Sequence, residues 1–356
     1  MKAIKTLCFI VVFLSSSVLF AQGQNNTRHN KSTKEKRLVG SINKIEIQNQ
    51  YGNINYTGWD KDSIVIDVNI WVETPNEETA QTILNKIEVL PHLTAGTLRY
   101  KTIFKGDFFS NYPFGIEFTI FAPSDMELEM HNQFGNINLT HFGAKLNIDL
   151  QYGNFNLHNQ TDIISGGRIS VTNGDLNLEK LSNAEIAHKN GHLKMEEVYY
   201  TSLISDFSTG EIKTAENLKA NLSTSNLKIA EAKGLTASSM ASTLTVDRLS
   251  NKGYFETTDK SLLSIQRTMP STEQLTVTGT NSQTKIGLSS NLSYTIHGEI
   301  KNGQITHYQP ENITKIRDGN TTSFSGDFEQ QNMKPASIIL FGENGDITVY
   351  LSDKKQ

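Results

Sequence analysis

The chain has 356 residues, with 33 lysines and arginines against 37 aspartates and glutamates, for a net charge of −4. That balance lacks the basic face of a dedicated nucleic-acid binder. The single cysteine, Cys8, lies in the leader, so disulfides, a thiol nucleophile and a cysteine metal site are excluded from the mature chain.

Residues 1–21 (MKAIKTLCFIVVFLSSSVLFA) begin with Lys2 and Lys5, continue with an apolar run and end in small residues. This is the layout of a signal peptide, with cleavage expected after Ala21. Lys5-Thr6-Leu7 ahead of Cys8 is not the small-residue run that precedes a lipoprotein cysteine, and loss of the leader takes the charge from −4 to −6. Residues 22–37 (QGQNNTRHNKSTKEKR) offer nothing to bury and predict a disordered polar tether. Residues 38–126 read as an N-terminal β-rich part. Ile45, Ile47, Ile54, Tyr56, Ile64, Ile66, Val68, Ile70 and Val72 alternate with polar residues at the strand period. One amphipathic helix is expected over 77–88: Asn76 can cap it, Glu77 and Glu78 suit its positive end, and Ala80, Ile83, Leu84 and Ile87 form an apolar stripe. Strands resume at 98–104 and 115–121, around an aromatic loop at 108–114 (FFSNYPF).

Residues 127–260 are organised on a repeated phrase. Gly135-Asn136-Ile137-Asn138-Leu139 returns as Gly153-Asn154-Phe155-Asn156-Leu157 and stands upstream as Gly52-Asn53-Ile54-Asn55-Tyr56. Looser copies start at Gly174, Gly191 and Gly210, and Ser225 and Ser242 take the glycine's place in later ones. Side chains two and four places past the glycine are apolar; those one and three places past it are polar. Strand geometry sends the two sets to opposite faces. One copy cannot bury its apolar pair alone, whereas stacked copies share a core. The expectation is an all-β chain: a right-handed β-helix-like solenoid with coils of about 18 residues and an N-terminal β-rich cap carrying the helix. The glycine is expected to hold a positive-φ turn. Residues 261–356 are expected to form C-terminal coils and a cap, with a polar loop at 310–335 and a polar tail that blunts an open sheet end.

The secretory start, the phrases NQYGNI and NQFGNI, the passage FTIFAPSDMELEMHNQFGNINL and the closing GENGDITVYL resemble a secreted bacterial β-solenoid family of candidate adhesins, head-GIN-like in type. The likeness runs over roughly residues 38–351. It implies a β-helix-like fold and a cell-envelope location, and it brings no catalytic or binding residues with it.

The residues themselves offer no catalytic set. His188 and His192 have H-x-x-x-H spacing, but Asn190-Gly191 makes this a turn, where the helical zinc geometry is lost. His141 and His158 fall on what would be adjacent coils. Asp149, Asp162 and Asp175 occupy different places in the repeat, so the paired acids of a polysaccharide-cleaving enzyme are not identifiable. No metal or cofactor is expected. Three surfaces remain as binding candidates: an amide strip at Asn136, Asn138, Asn154 and Asn156; a lysine column at Lys194, Lys213 and Lys228; and the aromatic loop with Phe108, Phe109 and Tyr112. The function expected is an exported, non-enzymatic, monomeric envelope protein that meets envelope glycans or surface proteins through repetitive polar columns. Its placement is periplasmic, on the outer-membrane surface or extracellular. The alternatives are a periplasmic partner of an envelope-signalling system and, third, a polysaccharide-degrading β-helix enzyme.

Overall fold

The computed structural model describes residues 26–330 and 333–352, so the predicted signal peptide lies outside the described residues. Among the described residues there is one α-helix, and thirty strands join in one sheet. No helix there is long and apolar enough to cross a membrane.

The strands form two files of parallel pairs. In the first, Lys44–Gln50 pairs with Glu127–Gln133, which is followed by Leu146–Gln151, Gly167–Thr172, Glu185–Lys189, Ser202–Asp206 and Leu218–Ser223. In the second, Ile54–Trp59 pairs with Ile137–Thr140, followed by Phe155–His158, Leu176–Ser182, His192–Tyr199 and Thr209–Glu216. The long strands Asn226–Met240 and Thr243–Thr258 run through both files. Alternation at period two turns every second side chain inward, and the register stacks like on like. Ile54, Ile137, Phe155, Leu176 and Leu193 are consecutive partners, all fully buried. Each such side chain contributes roughly 1.5–3 kcal/mol through its removal from water.

Both ends of the stack are closed by antiparallel strands. At the N-terminal end Ile87–Thr94 folds back on Thr97–Phe104, and Ser63–Thr74 lies antiparallel to Phe114–Pro123. At the C-terminal end Thr321–Phe328 and Thr314–Asp318 pair antiparallel beyond Tyr294–Lys301. The polar stretch expected as a loop at 310–335 is thus largely a hairpin. The last described strand is tucked inside. Ile347–Leu351 sits between Gln283–Leu288 and Ile305–His307, and the polar tail expected after Ser352 lies outside the described residues.

The helix spans Glu77–Asn85. Asn76 Oδ1 accepts from the Thr79 backbone N–H at 3.1 Å, and Ala80, Ile83 and Leu84 are buried, as their spacing requires. Ile87, expected in the helix, begins the following strand.

Other expectations fail as well. The tether at 22–37 is, from Thr27 onward, the edge strand Thr27–Leu38, paired antiparallel with Ser63–Thr74 along its whole length. It has no apolar face to announce it. It is held by backbone pairing, by Lys31 Nζ donating to the Leu84 and Ile87 carbonyls, and by Arg28 lying 4.1 Å above the Trp71 ring. Its lysines and arginines also discourage pairing with a further chain at that edge. Second, the Gly210 phrase is out of step by two residues. Gly210 pairs with Leu193 and Leu227 inside the core, and a Cβ on it would meet Leu193 Cγ at 2.4 Å. Ser208 holds the turn place instead.

Positive φ falls not on the repeat glycine but on the residue before it: Tyr51, Phe134, Tyr152, Asn173 and Asn190. The glycine is needed for close approach. A Cβ on Gly153 would stand 2.1 Å from the Gly135 carbonyl oxygen, and one on Gly174 would stand 1.8 Å from that of Gly153. Gly153→Ala is therefore expected to lower stability by about 2–4 kcal/mol through forced separation of coils. Thermal melting with hydrogen exchange at 135–157 checks this, and an unchanged melting temperature would contradict the contact.

Candidate functional site

The amide strip is present, but much of its capacity is spent internally. Asn138 Nδ2 donates to Asn55 Oδ1 at 2.9 Å, Asn156 to Asn138 at 3.0 Å, and Asn177 to Asn156 at 2.9 Å. One step nearer the turn, the backbone N–H of Asn154 donates to Asn136 Oδ1 at 2.8 Å, and that of Asp175 donates to Asn154 Oδ1 at 2.9 Å. The strip thus joins coil to coil through its own hydrogen bonds. The acids that might have formed a catalytic set are also locally engaged. Asp175 Oδ1 accepts from the His192 N–H, Asp162 Oδ1 from the Ile163 N–H, and Asp149 lies 3.7 Å from His131 Nδ1.

The lysines are not one like-charged column. The register runs Asn177, Lys194, Glu211, Lys228, so charges alternate, while Lys213 stands outside it and pairs with Glu196 at 3.2 Å. The two-residue offset of Gly210 explains the misplacement. All three lysines nevertheless border one shallow depression of about 270 Å³, shared with Glu196 and Glu211.

In the aromatic loop, Phe108 packs on Phe104 and Phe114 with ring centroids 4.6 and 5.1 Å apart, and Tyr112 rests against the core. Phe109 alone of the three projects, 74% exposed.

His188 and His192 do not converge on a metal site, and no metal-holding cluster occurs among the described residues. His188 is buried, not a solvated turn residue: its Nε2 bonds the Gly174 carbonyl at 3.0 Å. Asn132, three places before Gly135 as His188 is three before Gly191, similarly donates to the Gly52 and Gly135 carbonyls at 2.9 Å. Burial pushes the His188 pKa below its ordinary 6.5, outweighing the Gly174 bond and Asp175; His192 adds slightly to the lowering. His141 and His158 are neighbours through a backbone bond at 3.2 Å, and both are exposed.

Sequence reading missed a second exposed set. Tyr51, Phe134 and Tyr152, immediately before the repeat glycines, stack with centroids 5.1 and 5.0 Å apart and ring planes 11° apart. They adjoin Gln50, Gln133 and Gln151, which are consecutive register partners and spend no side-chain hydrogen bond on the protein. The signal was present in the phrases NQYG, NQFG and QYG, whose periodic aromatic and glutamine lie outside the apolar pair that defined the repeat. The glutamines border an open groove of about 470 Å³, together with Gln48, Lys101 and Asp149.

No protein-family model matches the chain, and no curated protein matches it. It is similar to solved structures. One is a candidate adhesin from Bacteroides fragilis, 14% identical over 90% of this chain and 97% of that one, with a TM-score of 0.30. Another is a candidate adhesin from Parabacteroides distasonis, 12% identical over 72% and 97%, with a TM-score of 0.34. A third, described as a candidate lipid-binding protein from the same species, is 12% identical over 90% and 96%, with a TM-score of 0.31.

Two expected outcomes follow from the hydrogen-bond files. Asn156→Asp removes the donor to Asn138 and should lower stability by about 1–3 kcal/mol, read by thermal melting. For His188, the folded state holds the ring neutral, so the unfolded chain binds more protons once pH falls through about 6.5. Stability should therefore be complete above that pH and decline below it. His188→Asn retains a donor for the Gly174 carbonyl and removes the titration. The fall in melting temperature from about pH 7.5 to pH 5 should shrink in that variant, to an extent limited by His307, whose pKa burial also lowers. An unchanged pH profile in His188→Asn would refute the assignment.

Proposed function

We propose that the chain is an exported, non-enzymatic, right-handed β-solenoid of the bacterial cell envelope, with coils of about 18 residues, and that it acts as a monomeric adhesive surface. The observation that carries this reading is the unbroken register of buried side chains from Ile54 to Leu193, continued by parallel pairing to the C-terminal strands. A stack of this kind holds outward side chains at fixed intervals, so weak contacts at successive coils add as a multivalent array. Neither nucleic acid nor a small-molecule cofactor has a part in the mechanism. The exposed sites favour glycans or surface proteins of the envelope as partners, because their chemistry is amide, aromatic and mixed charge.

The experiment is labelling of intact cells with a membrane-impermeant amine reagent, paired with adherence of wild-type and deletion strains to a glycoprotein-coated surface. The expected result is labelling without permeabilisation and a several-fold loss of adherence on deletion. Labelling only after the outer membrane is opened, with adherence unchanged, would overturn the surface reading in favour of a periplasmic role.

A further inference from the structure

We propose that the groove beside the Tyr51–Phe134–Tyr152 ladder is a binding site for a neutral oligosaccharide, with the chain lying along the stack. This deepens the adhesive reading and rests on it. Three observations point to the ligand class.

The first is which amides are free. Asn138, Asn156 and Asn177 are bonded to one another, whereas Gln50, Gln133 and Gln151 leave donors and acceptors at the spacing of successive coils. A row of paired donors and acceptors suits hydroxyl groups, which both give and accept hydrogen bonds. The second is charge. Lys101 and Asp149 border the groove with opposite sign, His131 in its lining lies 3.1 Å from Glu129 and 3.7 Å from Asp149, and the four glutamines contribute no charge, so the lining mixes both signs and singles out neither.

The third is backbone cost. Tyr51, Phe134 and Tyr152 adopt φ of 60°, 61° and 58°, a left-handed conformation that asparagine adopts more readily and that Asn173 and Asn190 hold at the same place in later coils. Bulky aromatic residues kept at such positions point to a use for the ring. Within the ladder, Phe134 has both faces covered by its neighbours, while Tyr152 stacks with no ring on its other side. On that side the next coil places Asn173, so what the three residues offer the apolar side of a sugar is their exposed ring edges, a wall that adjoins the glutamines.

The test is calorimetric titration of the mature chain with cellohexaose, xylohexaose and mannohexaose, with hexagalacturonate as charged comparator. At least one neutral sugar should bind, with affinity unaffected by raising salt from about 50 to 500 mM. Tyr152→Asn should weaken that binding roughly three- to tenfold, and Gln133→Ala with Gln151→Ala should do so by a similar factor. Tyr152→Asn should melt at or above the wild-type temperature because asparagine suits the turn, which separates loss of a contact from loss of the fold. Lys228→Gln, at the remote lysine depression, should leave affinity unchanged. Absence of binding by all three neutral sugars, retention of full affinity in the glutamine double variant, or salt-sensitive binding of hexagalacturonate alone would each overturn the proposal. If cells still adhere while no neutral sugar binds, this site falls and the adhesive reading stands. If a sugar binds but the protein stays shielded in intact cells, the adhesive reading falls instead.

Discussion

The contact on which the architecture depends is backbone against backbone at the turn. Parallel strands of adjacent coils lie about 4.8 Å apart, and at Gly135, Gly153, Gly174 and Gly191 one coil's carbonyl occupies the space a side chain would need in the next. Register follows from that contact, since a slip of one residue would put a Cβ into a carbonyl and turn the apolar file outward. From about Ser208 onward the solution changes. The N–H of Ser208 donates to Ser225 Oγ at 3.1 Å, that of Ser225 to Ser242 Oγ at 3.0 Å, and that of Ser242 to Ser261 Oγ at 3.2 Å. A hydroxyl that bonds the neighbouring coil replaces the absent side chain, and the stack continues without a break in pairing.

A stack of parallel strands has two ends that could each recruit another copy. Here the chain reverses direction at both, so the outermost strands are joined to the stack through antiparallel pairs. The edge strand Thr27–Leu38 adds a row of lysines and arginines. The first and last coils in sequence lie one layer inside, between segments that come later and earlier in the chain. Fraying of the last described strand, Ile347–Leu351, then has to displace paired neighbours on both sides.

The interior was readable because it is periodic. Ile137, Phe155, Leu176 and Leu193 could be aligned from spacing alone, and they stand as partners in the structure. The helix was readable from a cap and a stripe. What escaped was whatever lacks an apolar period. The edge strand draws its stability from backbone bonds that leave no mark on composition. Gly210 imitated the repeat phrase while serving as a small core residue, and that displaced Lys213 from its assumed column. His188 looked like a turn residue because its burial comes from the coil beneath it, which sequence proximity does not reveal. The candidate site was only partly legible: of the aromatic loop only Phe109 projects, the amides picked out at Asn138 and Asn156 are committed to each other, and the free ones belong to the opposite file of strands.

The aromatic ladder is where stability and surface chemistry part. A non-glycine residue in the left-handed region costs on the order of 1 kcal/mol or more, and three successive turns carry that cost with rings attached. Mutual stacking returns about 0.5–1.5 kcal/mol for each of the two ring pairs. The return, about 1–3 kcal/mol in all, does not exceed a cost of about 3 kcal/mol or more, so folding alone gives little reason to prefer Tyr51, Phe134 and Tyr152 over the asparagines at the next two turns. What the rings add is a stiff apolar wall beside unspent amides, on the coils nearest the N-terminal cap. Asn173 and Asn190 show how the same turn is built when only the fold is at stake: Asn190 Nδ2 donates to Asn173 Oδ1 at 2.9 Å, and the surface there closes on itself. Further along the same column Phe207, Thr224 and Ala241 hold the positive φ with no stacked ring beside them, so the contiguous ring ladder is confined to the coils nearest the N-terminal cap.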